Sequence, residues 1–142
     1  MRDYKELTKY WRTIDSAWQK KMGPVCKEFG ISYLDRILIN IIAVNGPLTK
    51  NELSRQVYVI QQNLTRALQR LEESGFISTG TDSVDLRRRI IRITEFGMET
   101  HNKLHTSINE IWSSMLEGIP DADVKNFIAF MHILSEKSAN NT

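Results

Sequence analysis

With one cysteine, Cys26, in 142 residues, the chain has no means of building an internal disulfide framework. Long hydrophobic runs are also missing. The richest apolar stretch, residues 37–44, is interrupted by Asn40 and closed by Asn45-Gly46-Pro47, well short of the roughly 20 apolar residues that a membrane-spanning helix needs. The first residues, Met1-Arg2-Asp3-Tyr4-Lys5-Glu6, hold no apolar signal segment, so a cytoplasmic protein is expected. There is no glycine-rich phosphate loop and no set of nucleophile, base and orienting group, which makes an enzyme the least favoured class. Internal repeats, low-complexity segments and long linkers are absent too. Excess charge is small: the net +2 says little about a polyanionic partner. What remains is ordinary, 41% hydrophobic and 25% charged, which excludes a disordered chain and fits one domain with a buried core.

The informative stretch is residues 49–97. Thr49-Lys50-Asn51-Glu52 has the form of a capping box, predicting a short helix to about Gln56 with Leu53 and Val57 inward. Leu64, Leu68 and Leu71 then recur at i, i+4, i+7 with Ala67 beside them, predicting a second helix whose apolar face packs down. Gly75 stands where a left-handed residue ends a helix. The opposite face carries Gln62, Asn63, Arg66, Gln69 and Arg70. Glutamine and asparagine can read adenine edges, arginine can read guanine, and any of them can hold phosphate. Taken alone, such a stripe is more often just a solvated face.

The neighbouring hairpin alters that weighing. Phe76-Ile77 and Ile90-Ile91-Arg92-Ile93 have strand-like residues, and residues 79–83 supply turn chemistry. Arg87, Arg88 and Arg89 are expected at the start of the returning strand, with Asp82 and Asp85 able to hold one guanidinium, Arg87 foremost. An exposed basic strand with local ion pairs is the plainer reading. Three consecutive arginines beside a polar helix face are better explained by an anion nearby. A helix, a turn, a second helix and a basic hairpin in this order form a winged helix-turn-helix, an arrangement that puts one helix into a DNA groove. The expected DNA-facing set is Lys50, Gln61, Gln62, Asn63, Arg66 and Arg70, with Arg87 and Arg88 of the wing.

Residues 52–77 resemble, without a gap, the Glu-Leu-Ala…Val-Thr-Arg…Leu-Glu-x-x-Gly-Leu-Ile segment of MarR-type (multiple-antibiotic-resistance) regulators. Asp85-x-Arg87 followed by Ile93-Thr94-x-x-Gly97 matches their wing signature. The resemblance implies a mainly α fold with a small β-hairpin wing: a winged helix-turn-helix head over about residues 32–97, flanked by dimerisation helices at 1–30 and 98–142. It also implies a dimeric, sequence-specific repressor on double-stranded DNA, modulated by a small aromatic or phenolic effector for which Trp11, Trp18, Tyr33, Arg36 and Trp112 could line a pocket. An aromatic stripe at helical spacing is more often core. Three positions depart from the pattern: Tyr58 replaces a usual turn glycine, Ile60 a usual helix cap, and Thr79 an arginine that often precedes the wing.

The flanks read accordingly. Tyr4, Leu7, Trp11, Ile14 and Trp18 make one apolar seam, and Val124, Phe127, Ile128, Met131 and Leu134 another. Leu104, Ile108, Ile111, Trp112 and Met115 line a long helix starting near Glu95. Such seams are usually intramolecular core, yet a head of this size does not need two terminal helices to cover itself. Charge is uneven: residues 1–22 hold six Lys/Arg against three Asp/Glu, and residues 98–142 hold three against six, which suits an acidic body held off DNA. His101 and His105, at i, i+4, could share a metal, but without further ligands at suitable spacing an exposed pair is expected and no metal is assigned. His132 should sit satisfied at the edge of the C-terminal seam. Cys26 reads as a packed small hydrophobe, with redox sensing the other reading; in the family, oxidant-sensing cysteines fall near Thr8 of this chain. Two function classes compete: a DNA-binding regulator, and a winged-helix module that binds a protein partner and no longer reads DNA.

Overall fold

The computed structural model describes residues 1–140. Among these residues, six helices and one hairpin occur in the order α1 (Lys5–Glu28), α2 (Tyr33–Asn45), α3 (Lys50–Ser54), α4 (Gln61–Glu73), β1 (Ile77–Thr81), β2 (Arg89–Ile93), α5 (Glu95–Met115) and α6 (Asp121–Asn140). Met1–Ile108 forms one compact unit and a second begins at Asn109.

Helix α2 is the spine of the first unit. Its start is a complete reciprocal capping box: the Ser32 hydroxyl accepts from the Asp35 amide at 3.0 Å, and the Asp35 carboxylate accepts from the Ser32 amide at 3.1 Å. Leu38, Ile39, Ile41 and Ile42 come next and are buried. At Thr49, where a capping box is expected from the sequence, only half of one forms. Thr49 Oγ1 accepts from the Glu52 amide at 3.2 Å, but the Glu52 carboxylate turns away to an arginine of the wing. Helix α3 ends at Ser54, short of Gln56.

Helix α4 buries Leu64, Ala67 and Leu71, while Leu68 is only half-buried, so the inward face is narrower than its leucine spacing suggests. Gly75 takes φ +83 and ends the helix. The Phe76 amide donates to the Leu71 carbonyl at 2.9 Å and the Gly75 amide to the Glu72 carbonyl at 3.0 Å, the paired bonds of a Schellman stop.

The wing is antiparallel, with Ile77 opposite Ile93 and Thr81 opposite Arg89. Strand β1 runs through Thr79, Gly80 and Thr81, which the sequence places in the turn; the connecting loop is residues 82–88. Arg89 alone of the three arginines begins the returning strand. A third piece of backbone joins the hairpin: Leu48 and Ile91 exchange amide–carbonyl bonds of 3.1 and 2.8 Å. Ile77, Ile90, Ile91 and Leu48 are buried, as are Leu53 and Leu64.

One threonine and one glycine lock the wing's root. Thr94 Oγ1 lies 2.5 Å from the Gly75 carbonyl and 3.0 Å from that of Phe76, and accepts from the Gly97 amide at 3.0 Å. A Cβ on Gly97 would come within 2.0 Å of the Phe76 carbonyl oxygen, a distance no side chain tolerates. The Thr94-x-x-Gly97 spacing is therefore a packing requirement where α5 leaves the hairpin.

Tyr4 lies just outside α1, and Leu7, Trp11 and Ile14 of the N-terminal seam stand 64%, 60% and 44% exposed. Helix α6 shows a similar unburied character: Phe127, Ile128 and Leu134 are exposed, as are Phe130 and Ile133 outside the expected seam. Among the described residues, no helix is long and apolar enough to cross a membrane.

Candidate nucleic-acid interface

The first turn and a half of α4 presents Gln61, Gln62, Asn63 and Arg66 to solvent. Their exposure follows from the burial of Leu64 and Ala67, because residues on the far side of the same turns must face out. The approach to this helix has no polar cap. Ile60 is the N-cap residue, its side chain makes no capping bond, and it remains 64% exposed. Tyr58 is fully exposed, and no non-glycine residue has a positive φ among the described residues, so this tyrosine sits in the turn without left-handed strain.

On α3 and α4, two members of the expected set have side-chain partners within the protein. Lys50 Nζ donates to Thr65 Oγ1 at 2.6 Å, clamping α3 to α4. Arg70 Nη2 donates to the buried Asp35 Oδ1 at 2.9 Å, tying the far end of α4 to the start of α2. That charge-assisted bond completes a carboxylate that already caps α2. Arg70 thus has a structural task that Asn63 and Arg66 lack.

In the wing the arginines divide differently from expectation. Arg88 is the more firmly held guanidinium: its Nη2 donates to Glu52 Oε1 at 2.9 Å and its Nη1 lies 3.6 Å from Asp82 Oδ2. Asp82 and Asp85 also accept backbone amides of the loop, from Val84 and Arg87, each at 3.0 Å. Arg87 Nε stays 3.7 Å from Asp85, with its side chain 97% exposed. Exposed pairs of this kind add little stability. Their effect is to orient Arg88 firmly and to leave Arg87 at the tip with only its longer contact to Asp85. Thr79, in place of the usual arginine, bonds Glu72 at 3.3 Å.

Thr49, Lys50, Asn51, Glu52, Arg55, Arg88 and Arg89 line one concavity between α3 and the wing. Arg55 and Arg89 lie outside the set expected from the sequence. Arg89 is visible in the arginine run, whereas nothing local brings Arg55, at the end of α3, beside the wing.

Of the five residues suggested for an effector pocket, three come together. Trp18 Nε1 donates to the Tyr33 hydroxyl at 3.0 Å, and the Arg36 guanidinium lies 5.1 Å from the centre of the Tyr33 ring. Arg36 Nε is buried without a hydrogen-bond partner. Trp11 is exposed on α1, and Trp112 belongs to the second unit, where it is half-buried. Next to Arg36, a narrow crevice is lined by Asn40, His101, Leu104, His105 and Ile108. His101 is half-buried rather than exposed, and burial, reinforced by the neighbouring His105, lowers its pKa. The two rings are 6.4 Å apart. Among the described residues, no three His, Cys, Asp or Glu side chains cluster to hold a metal ion. His132 is exposed and lies 3.2 Å from Glu136 one turn on. Cys26 is buried; burial pushes its thiol pKa up, with Arg36 opposing and Asp35 reinforcing the shift, which disfavours the reactive thiolate.

The sequence model of the MarR family matches residues 29–88, the stretch from the end of α1 to the wing loop. The chain is 26% identical over 101 residues to the HTH-type transcriptional regulator FarR of Neisseria gonorrhoeae, covering 71% of this chain and 69% of that protein. It is 20% identical over 126 residues to the HTH-type transcriptional repressor IacR of Pseudomonas putida, covering 88% and 75%. Its fold is similar to that of a MarR protein from Peptoclostridium difficile, with a TM-score of 0.82 at 17% identity over 99% of this chain and 91% of the other.

Proposed function

Because the chain belongs to the MarR family of winged helix-turn-helix transcription regulators, we propose that it is a homodimeric, cytoplasmic repressor that reads double-stranded DNA with α4 and its wing. A family of DNA-binding regulators gives no ground for assigning it a catalytic activity. The observation that carries the reading is the exposed, uncommitted face of Gln62, Asn63 and Arg66 beside a wing whose Arg88 is preoriented by α3 and whose Arg87 stands exposed at the tip. Lys50, Gln61, Arg55 and Arg89 supply further phosphate contacts; Arg70 contributes chiefly by holding α4.

Dimerisation is supported by the apolar residues that a single chain leaves uncovered on α1 and α6, since a two-fold pair of heads matches the pseudo-symmetry of DNA. On this reading the head is residues 32–97 and the flanking segments 1–30 and 98–142 pair between protomers. A small aromatic or phenolic effector would meet Trp18, Tyr33 and Arg36, whose buried, unpaired Nε offers a donor to a carboxylate or phenolate.

The test is affinity for the preferred duplex and for random DNA across a salt series. Asn63→Ala and Arg66→Ala should each cost about 1–3 kcal/mol on the preferred duplex and much less on random DNA. Arg87→Ala should weaken both and flatten the salt slope. No binding at low salt, with the protein folded, would replace the regulator by a protein-interaction module.

A further inference from the structure

Ile60 breaks a local rule without compensation inside the protein. The residue before a helix is favoured as Ser, Thr, Asp or Asn, whose oxygen bonds a free amide of the first turn. Here an isoleucine takes that position with φ −69 and ψ 147, makes no capping bond, and buries little of itself, remaining 64% exposed. Its backbone does accept the Leu64 amide at 3.0 Å, so the helix begins normally and the side chain alone is anomalous. Two residues earlier, Tyr58 is still more uncovered, at 107%. Neither side chain serves the core, and the polar Gln61, Gln62 and Asn63 come directly after.

Resting on the DNA-binding reading above, we propose that Ile60 is a specificity-determining residue that packs against the C5 methyl group of a thymine in the major groove, with Tyr58 covering the adjoining sugar. The N-terminal residues of a recognition helix reach base edges. Among the four bases only thymine offers an apolar group there, and aliphatic side chains pair with it. An isoleucine at the leading edge of α4 has no hydrogen bond to give a base, so its contribution is selection for that methyl. Binding would also cover the apolar surface that the free protein leaves wet.

The experiment selects the preferred duplex from a random pool with the full-length protein, then replaces each thymine in turn by deoxyuridine, which differs only in lacking the methyl. One thymine in each half-site should show about fourfold weaker binding on replacement, the worth of one buried methyl group. Ile60→Ser should lose that sensitivity while melting no lower than the parent, since serine restores a cap. If every deoxyuridine duplex binds as tightly as its thymine parent, or if Ile60→Ser keeps the same penalty, the assignment is overturned although the protein still reads DNA. If the pool yields no preferred sequence, the DNA-reading function itself falls, and this inference with it.

Discussion

Gly97→Ala should destabilise the protein by about 2–3 kcal/mol, the cost of forcing a small side chain into a site with no room for it. The new Cβ would stand 2.0 Å from the Phe76 carbonyl oxygen and 2.7 Å from Ile93 Cδ1. The isoleucine tip can rotate away, but the carbonyl cannot. It accepts the Thr94 amide at 3.1 Å and lies 3.0 Å from the Thr94 hydroxyl. Relief therefore requires α5 to back off from the hairpin by roughly an ångström or more, the gap between that approach and ordinary contact, stretching those bonds. For a chain of this size each kcal/mol moves Tm by roughly 3–4 °C, so a fall of about 6–12 °C is expected. Gly80→Ala is the matched control. It lies inside β1 with nothing within 4 Å of its added Cβ, so alanine should stabilise by about 0.5–1 kcal/mol through the backbone entropy that a strand glycine loses. Thermal unfolding of both variants at equal protein concentration reads the difference, since Tm shifts with concentration if the chain dimerises. A Gly97→Ala variant melting within about a degree of the parent would refute the argument from close approach.

Two further outcomes are expected from other parts of the fold. Glutamates placed at Leu7 and Ile14 should convert the protein to monomer, because burying charge on an apolar seam opposes association; light scattering showing an unchanged dimer would remove α1 from the interface. His101 has its pKa lowered from 6.5 by burial and by His105, so the unfolded chain takes up the proton first and stability should fall as pH drops through 6.5 towards the lower folded value. Urea midpoints compared at about pH 7.5 and 5.5 should show this loss reduced in His101→Gln, and an identical pH response in both proteins would contradict it.

Periodic features are legible in the sequence. The leucine spacing of α4, the Gly75 stop and the strand residues of the hairpin are local patterns, and local patterns survive folding when no distant partner competes. Where a distant partner does compete, local pattern misleads. Glu52 has the spacing to close a capping box at its own helix, but Arg88 arrives from 36 residues away and takes its carboxylate. The complete box forms instead at Ser32 and Asp35, with aspartate in the role where glutamate is the more familiar residue. Leu68 shares the spacing of its buried neighbours, yet the width of the covered stripe depends on what lies against it. In the site, the exposed groove face is evident from helical phase. The preference of Asp82 for Arg88 is not, because three adjacent arginines are equivalent until a loop fixes which one points back. Arg55 and the Leu48–Ile91 bridge depend on tertiary proximity and leave no trace in the sequence.

The first turn of α2 is held from two sides. Asp35 grips the C-terminal end of α4 through Arg70, while Tyr33 and Arg36, one turn apart on the same helix, engage each other and Trp18. This ties the tail of α4 to α2, while Lys50 holds it to α3 nearer its leading end. Thirteen residues at 1.5 Å each give it a length of about 20 Å. From Arg70 to Gln61 the arm is about 13–14 Å, so a tilt of about 10° imposed at Arg70 would swing the leading end by about 2 Å, enough to break a hydrogen bond. If Gln62 and Asn63 read bases as proposed, a molecule lodging against Trp18, Tyr33 and Arg36 would need to shift that turn only slightly to spoil their register.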